Sequence, residues 1–268
     1  MNIVVTGGSG FIGSNLYKRL FEDGNNVSIV DIEKNGPVQI IKKIVKFRPD
    51  IIYHLAAQSR VQPSFEDPAG CFDDNVVGTQ AVLEFARQKK CKVVYAGSSS
   101  KHHDPYDSPY AATKMIGEEL CKMYKSCYDL DVEIARFYNV YGPGEELDPK
   151  NGNVIGIWRW CVATNNKAKI VGDGEQRRDF IHVSDIVDGL IKIGESDKHH
   201  EDAWELGTGK NYSINELAEM FKRKFQLEFD YVEDQRGNYR ETLNTNTDAQ
   251  RQLGWFPNDR LKSYINSL

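Results

Sequence analysis

Thr6-Gly7-Gly8-Ser9-Gly10-Phe11-Ile12-Gly13 joins an apolar, strand-like run, Ile3 to Thr6, to an amphipathic stretch, Phe11 to Phe21. Its glycines are spaced Gly-x-x-Gly-x-x-Gly (Gly7, Gly10, Gly13), or Gly-x-Gly-x-x-Gly if counted from Gly8. That spacing permits a tight turn, close approach of the backbone to a diphosphate, and a close helix–strand contact. The free N–H groups opening the helix make a seat for an anion. Outward from this motif the alternation continues. Val27 to Asp31, Ile51 to Leu55, Lys92 to Ala96 and Val132 to Phe137 read as strands. Val38 to Phe47, Asn75 to Gln88 and Pro109 to Tyr128 read as helices. Nearly continuous apolar strands separated by helices imply a parallel sheet covered on both faces. Right-handed crossovers then give an α/β, doubly wound Rossmann sheet.

After Tyr141 the texture changes. Gly142-Pro143-Gly144 and Asp148-Pro149-Lys150-Asn151-Gly152 are rich in turn residues, followed by helical patterns at Val154 to Thr164, Val183 to Gly194 and Ser213 to Phe225. Residues 1–150 are therefore expected to form a dinucleotide-binding domain that also receives the segment near 181–206. Residues 151–268 are expected to form a smaller α+β lobe. The 268 residues carry 40% hydrophobic and 27% charged side chains, which excludes a disordered chain. A net charge of -5 excludes nucleic acid as an expected partner. Mean hydropathy is -0.54, and no run approaches the roughly 18 apolar residues of a membrane span. The N-terminal Met1-Asn2-Ile3-Val4-Val5 lacks a basic region and an apolar signal core. Five scattered cysteines, without metal-ligand spacing, suit reduced thiols in a cytoplasmic protein and no metal.

Asp31 ends the second strand, 18 residues after Gly13. A carboxylate there can accept hydrogen bonds from both adenosine ribose hydroxyls and would repel a 2′-phosphate, favouring NAD over NADP. Tyr110 and Lys114 lie four residues apart at the start of a helical pattern, on one face. A neighbouring ammonium lowers a phenol pKa and makes Tyr110 a usable general base. Gly97-Ser98-Ser99-Ser100 stands at a strand's C-terminal end, where open α/β sheets bind ligands. A hydroxyl there can bond the substrate oxygen that Tyr110 deprotonates.

Taken together, the motifs resemble the extended short-chain dehydrogenases/reductases acting on nucleotide-sugars. The resemblance rests on Thr6 to Gly13, His54 to Ser59, Asn75 to Thr79, Ser108 to Lys114, Arg136 to Gly144, Gly172 to Val183, and Leu253-Gly254-Trp255. It implies NAD held by Gly7, Gly10, Phe11, Ile12, Gly13, Asp31, Ala56, Ala57, Tyr110 and Lys114. It implies Tyr110 as the base for a sugar hydroxyl, Lys114 on the nicotinamide ribose, and one serine on the substrate oxygen. Alignment on Ala96 favours Ser99 for that role over Ser98 and Ser100. Asn139 and Arg178 match residues that bind the diphosphate of the nucleotide-sugar, and Arg236 resembles a second phosphate arginine, one residue out of register. His182 is expected to be structural, with Asp185 capping a helix. A homodimer is expected through the helices at Asn75 to Gln88 and Pro109 to Tyr128, with Val82, Phe85, Met115 and Met123 as apolar candidates.

In this family a dehydratase carries Asp-Glu after its Ser/Thr, and a decarboxylase usually a Glu. Ser100 and Lys101 follow Ser99 here, so the expected reaction is 4-epimerisation through a 4-keto sugar. The alternatives are a 4,6-dehydratase with relocated acids, a sugar-nucleotide reductase or dehydrogenase, and a non-catalytic NAD sensor. Two family segments are missing. Between Asp31 and Ile51 only one helix fits, so one adenine-side edge strand is expected to be absent and the adenine pocket open. Lys101 to Asp107 replaces a longer loop, which makes Lys101, His102 and His103 candidate substrate contacts.

Overall fold

The computed structural model describes residues 1–268. Its strands are β1 (Asn2–Thr6), β2 (Asn26–Val30), β3 (Ile51–His54), β4 (Lys92–Ser98), β5 (Val132–Phe137), β6 (Asn139–Tyr141), β7 (Ala168–Val171), β8 (Arg177–His182), β9 (Trp204–Leu206), β10 (Asn211–Ser213) and β11 (Phe229–Val232). The helices are α1 (Phe11–Glu22), α2 (Ile41–Ile44), α3 (Val61–Glu66), α4 (Pro68–Phe72), α5 (Gly78–Lys89), α6 (Pro109–Tyr128), α7 (Val154–Thr164), α8 (Val183–Glu195), α9 (Ile214–Phe225), α10 (Asp248–Leu253) and α11 (Leu261–Ser267). No helix is long and apolar enough to cross a membrane. All five cysteines are unpaired.

Six strands form the central sheet in the order β2-β1-β3-β4-β5-β9, every pairing parallel. β2 is the edge strand, so nothing pairs beyond it on the side expected to be trimmed. Successive side chains on a strand point to opposite faces. Ile3 and Val5 accordingly join one core cluster while Val4 joins another, and Ile51 and Tyr53 are separated from Ile52 in the same way. Both faces are thus apolar and covered, the first by α1 and α8 residues such as Leu16 and Leu190, the second by α5 and α6 residues such as Leu83 and Cys121. The segment Val38 to Phe47 forms less helix than its pattern predicts, a 3-10 turn at Val38–Ile40 followed by the single turn of α2. Val82 and Phe85 belong to the core rather than to a free face, whereas Met123 is exposed.

A second sheet, β10-β8-β6, and a two-stranded sheet, β11-β7, lie outside the first. They pack with α7, α9 and α11 around Trp158, Phe221, Ile170 and Leu261. Strand β9 and helix α8, from late in the chain, return to the central sheet and its core.

The family-like motifs His54-Leu55-Ala56-Ala57 and Asn75 to Thr79 act mainly as braces. His54 bridges Thr6 Oγ1 at 2.8 Å and Thr79 Oγ1 at 3.0 Å, and burial lowers its pKa to about 3. Asn75 accepts from the Gln58 N–H at 2.8 Å and donates to Thr113 Oγ1 at 3.0 Å, joining the loop after β3 to α6. His182 is structural as expected, but it is itself the N-cap of α8, accepting from the Ser184 N–H. Asp185 does not cap. Its carboxylate accepts from the Asn258 N–H and from Arg260, holding the C-terminal segment.

Beneath the C-terminal sheet edge, Arg136 is buried in a ring of carboxylates. It donates to Glu118 at 2.7 Å, Asp202 at 2.6 Å and Glu205 at 3.0 Å. Glu118 lies on α6, so this cluster ties that helix to β5 and β9. Removing one partner of a buried ion cluster leaves uncompensated charge. Arg136→Met is therefore expected to destabilise the fold by about 3 kcal/mol, read as a lowered midpoint in urea unfolding.

Candidate active site

One cavity of about 1170 Å³ runs along the C-terminal edge of the central sheet and into the second lobe. A single-ligand pocket holds roughly 300–1,000 Å³, so this cleft has room for a dinucleotide and a second ligand. Gly7, Gly10, Phe11, Ile12, Gly13, Asp31, Ala56 and Ala57 line one end. The glycines are required by space. A Cβ on Gly13 would stand 2.0 Å from the Gly7 carbonyl oxygen, and one on Gly7 would stand 2.8 Å from the Ala56 nitrogen. Gly7 also holds φ +68, where L side chains rarely sit. A Cβ on Gly10, at the N-cap of α1, would meet only the Gly7 carbonyl oxygen, at 3.4 Å, so the helix N-terminus is open toward the cleft. Asp31 receives the Ser9 N–H at 2.8 Å and the Glu33 N–H at 3.1 Å, fixing its carboxylate beside the glycine turn. This cradle fits a dinucleotide diphosphate and ribose.

The first turn of α6 satisfies its backbone donors in a way that positions Tyr110. Ser108 caps the helix by accepting from the Ala111 N–H at 3.1 Å, and Pro109 has no N–H to satisfy. The Tyr110 N–H donates to Ser64 Oγ on α3 at 3.1 Å. Tyr110 and Lys114 both line the cavity. Burial raises the Tyr110 pKa, opposed by hydrogen bonding from Ser98 and then by the charge of Arg60. The Lys114 ammonium donates to the Ala96 carbonyl at 2.5 Å and lies 4.6 Å from the Tyr95 ring centre. Burial lowers its pKa to about 8, with Glu118 acting in the opposite sense.

All three serines line the cavity with Tyr110, and hydrogen bonding from Ser98 acts to lower the Tyr110 pKa. β4 runs two residues past the expected end at Ala96, to Ser98, and Ser99 opens a 3-10 turn. Ser100 donates both its N–H and its hydroxyl to Ser98 Oγ, at 3.2 and 2.9 Å. With two donors directed at it, that oxygen is left free to donate its own proton to another acceptor.

On the second-lobe side, Asn139 and Arg178 line the cavity. Asn139 donates to Thr242 Oγ1 at 3.0 Å, leaving its amide oxygen free of that bond. Arg178 donates to the Arg177 carbonyl and to Asn238 Oδ1 but has no carboxylate partner, and burial lowers its pKa to about 10. Such a guanidinium favours an anion. Asp179, next to it, turns inward and gathers the N–H groups of Thr208, Gly209 and Asn244, which sets β8 against the C-terminal segment. Arg236 is not brought to this site. It is exposed, and its guanidinium lies 5.2 Å from the Phe65 ring, while Gln235, Gly237, Asn238 and Tyr239 line the cavity instead.

Lys101, His102 and His103 are not cavity-lining residues. Lys101 pairs with Glu119 at 3.4 Å, His102 with Glu205 at 2.9 Å, and His103 stacks on Tyr239 with ring centres 3.8 Å apart. Through these contacts the short loop ties α6, the sheet edge and the second lobe together. Arg60 and Tyr239 also line the cavity and were not among the candidates named from the sequence. Arg60 directly follows the quoted His54-to-Ser59 motif, so its position was available, but a lone arginine carries no periodic signal.

Residues 3–207 match the NAD dependent epimerase/dehydratase family, and the chain belongs to it. The UDP-glucose 4-epimerase of Mycolicibacterium smegmatis is 32% identical, covering 96% of this chain and 94% of its own. The crystal structure of a Thermotoga maritima UDP-glucose 4-epimerase with UDP-glucose superposes with a TM-score of 0.91 at 26% identity, covering 99% of this chain and 96% of its own. The structure of MoeE5 in complex with UDP-glucuronic acid and NAD gives a TM-score of 0.89 at 28% identity, covering 99% and 96%. The cofactor of this enzyme family, NAD, matches the glycine cradle and Asp31.

A methyl group at position 13 cannot be placed without moving the Gly7 carbonyl. Gly13→Ala is expected to emerge from purification without NAD and to bind added NAD at least tenfold more weakly, a change of about 1.4 kcal/mol, by calorimetric titration. Unchanged NAD affinity would contradict this placement of the diphosphate.

Proposed function

We propose that this protein is a nucleotide-sugar 4-epimerase that works through a transient 4-keto sugar with Tyr110 as its base. The observation that carries this reading is the grouping of Tyr110, Lys114 and Ser98 at the middle of a cleft whose serine turn continues as Ser99, Ser100 and Lys101, with no carboxylate. Elimination of water needs a further acid and base, and that turn supplies neither. The two strongly similar enzymes named for 4-epimerisation support the same choice.

The residues divide the work as follows. Gly7 to Gly13, Asp31, Ala56 and Ala57 hold NAD, which supplies the hydride acceptor and then the donor for C4 of the sugar. Lys114 binds the nicotinamide ribose in place of its bond to the Ala96 carbonyl. Tyr110 takes the proton of the 4-hydroxyl as the C4 hydride leaves, and Ser98 donates a hydrogen bond to the same oxygen as it becomes a carbonyl. The ketone then turns over in the pocket. Hydride returns to its other face while Tyr110 gives the proton back, so no external reductant is consumed. Arg178 and Asn139 hold the diphosphate and keep the nucleotide fixed while the sugar turns. In this reading residues 1–150 carry the cofactor and residues 151–268 most of the nucleotide-sugar contacts.

Uridine diphosphate sugars are the first substrates to test, since the named relatives act on or hold them. Interconversion of a UDP-hexose with its 4-epimer is expected, with no deuterium entering carbon 5 when the reaction runs in D2O. Tyr110→Phe is expected to lower kcat by about 100-fold or more while leaving NAD content intact. Deuterium at carbon 5, or a fully active Tyr110→Phe enzyme, would overturn the reading.

A further inference from the structure

Arg60 is the residue the proposed reaction leaves unused. It is the N-cap residue of α3 and lines the cleft. Two contacts hold this part of the chain in place. Ser64, one turn later, takes the Tyr110 N–H, and Gln62 donates to the Arg236 carbonyl of the second lobe at 2.9 Å. The stretch beginning at Arg60 therefore lies between the first turn of α6 and the second-lobe loop at Gln235–Tyr239. The opposite end of the cleft holds the glycine turn and Asp31.

The guanidinium spends one of its donors. Nε–H donates to the Asn151 carbonyl at 2.6 Å, and no ion pair with a carboxylate is made. Two of the nearby acids are otherwise engaged, and a third, Glu146, is exposed to solvent. Glu145 is bound by Arg159 at 2.8 Å, by Tyr264 and by Asn153. Glu66, at the end of α3, pairs with Lys150 at 3.1 Å. The two terminal nitrogens of Arg60 thus form an unoccupied planar fork on a residue that lines the cleft. A partly buried arginine covered by a neutral sugar would lose water and gain no anion in return, whereas a carboxylate meets the fork with two parallel N–H···O bonds.

We propose that Arg60 is a specificity-determining residue that receives a carboxylate on the sugar, so that the preferred substrates are nucleotide-diphosphate uronic acids rather than neutral hexoses. This rests on the nucleotide-sugar reading above and narrows it. The role is one of binding. Arg60 takes no part in the transfer of hydride or proton.

The test is calorimetric binding to the NAD-loaded enzyme of three probes: UDP-glucuronic acid, UDP-glucose and UDP. The wild type is expected to bind UDP-glucuronic acid about tenfold or more tightly than UDP-glucose, as suits a charge-assisted bidentate pair. Arg60→Gln is expected to abolish that preference, leaving affinity for UDP-glucose and UDP within about threefold and NAD content unchanged. Arg60→Lys should restore part of it. Equal losses for all three probes would assign Arg60 to the diphosphate, and loss of NAD would assign it to the cofactor. Either result, or a wild type with no preference, overturns the proposal. Turnover is measured separately. An enzyme that shows the binding preference but does not epimerise either sugar would refute the reaction and leave the carboxylate site standing.

Discussion

The structure depends on a contact that only glycine allows. The Cα of Gly13 approaches the Gly7 carbonyl so closely that a side-chain carbon would lie 2.0 Å from its oxygen. That approach lets α1 start directly off the end of β1 and opens its first N–H groups to the cleft. Once β1 and α1 are joined this way, right-handed crossovers deliver β2, β3, β4 and β5 as parallel neighbours. Their C-terminal ends then fall on one edge. Asp31 follows β2, Ala56 and Ala57 follow β3, Ser98 ends β4 and Asn139 follows β5, and all of these residues line the same cleft. Residues far apart in sequence become neighbours because the sheet is parallel.

A second constraint acts on charge. Two arginines outside the cleft lining are paired with acids: Arg136 with Glu118, Asp202 and Glu205, and Arg159 with Glu145. The arginines that face the cavity, Arg60 and Arg178, have no such partners. Buried and lining arginines thus fall into two groups, one neutralised by the protein and one awaiting an anion. The same sorting applies to Lys114, whose ammonium rests on a carbonyl and an aromatic face rather than on a carboxylate. An anion entering such a site meets no internal ion pair that must first be broken.

The fold was legible in the sequence wherever periodicity was strong. α6 and β5 match their expected bounds, and the missing edge strand followed from the short Asp31–Ile51 interval. The site was legible where it rests on local motifs, as with the glycine turn, Asp31, Tyr110 and Lys114. Reading failed where side-chain direction or tertiary contact decides. Arg236 follows a Gln-Arg-Gly pattern, yet its side chain lies on Phe65, outside the cleft. His102 and His103 looked available for substrate because their partners, Glu205 and Tyr239, lie more than a hundred residues away in the chain. Asp185 sits in the first turn of α8 where a cap is common, but His182 takes the cap and Arg260 takes Asp185.

The central claim is that one bound NAD removes and returns the same hydride at the sugar's C4 while Tyr110 handles the proton. The most direct test is turnover in ordinary water of a UDP-hexose deuterated at C4. The account predicts that the 4-epimer formed keeps its deuterium at C4 and that no NADH is released. Loss of the label to solvent, its transfer to free NAD, or its appearance on another carbon of the product would contradict it.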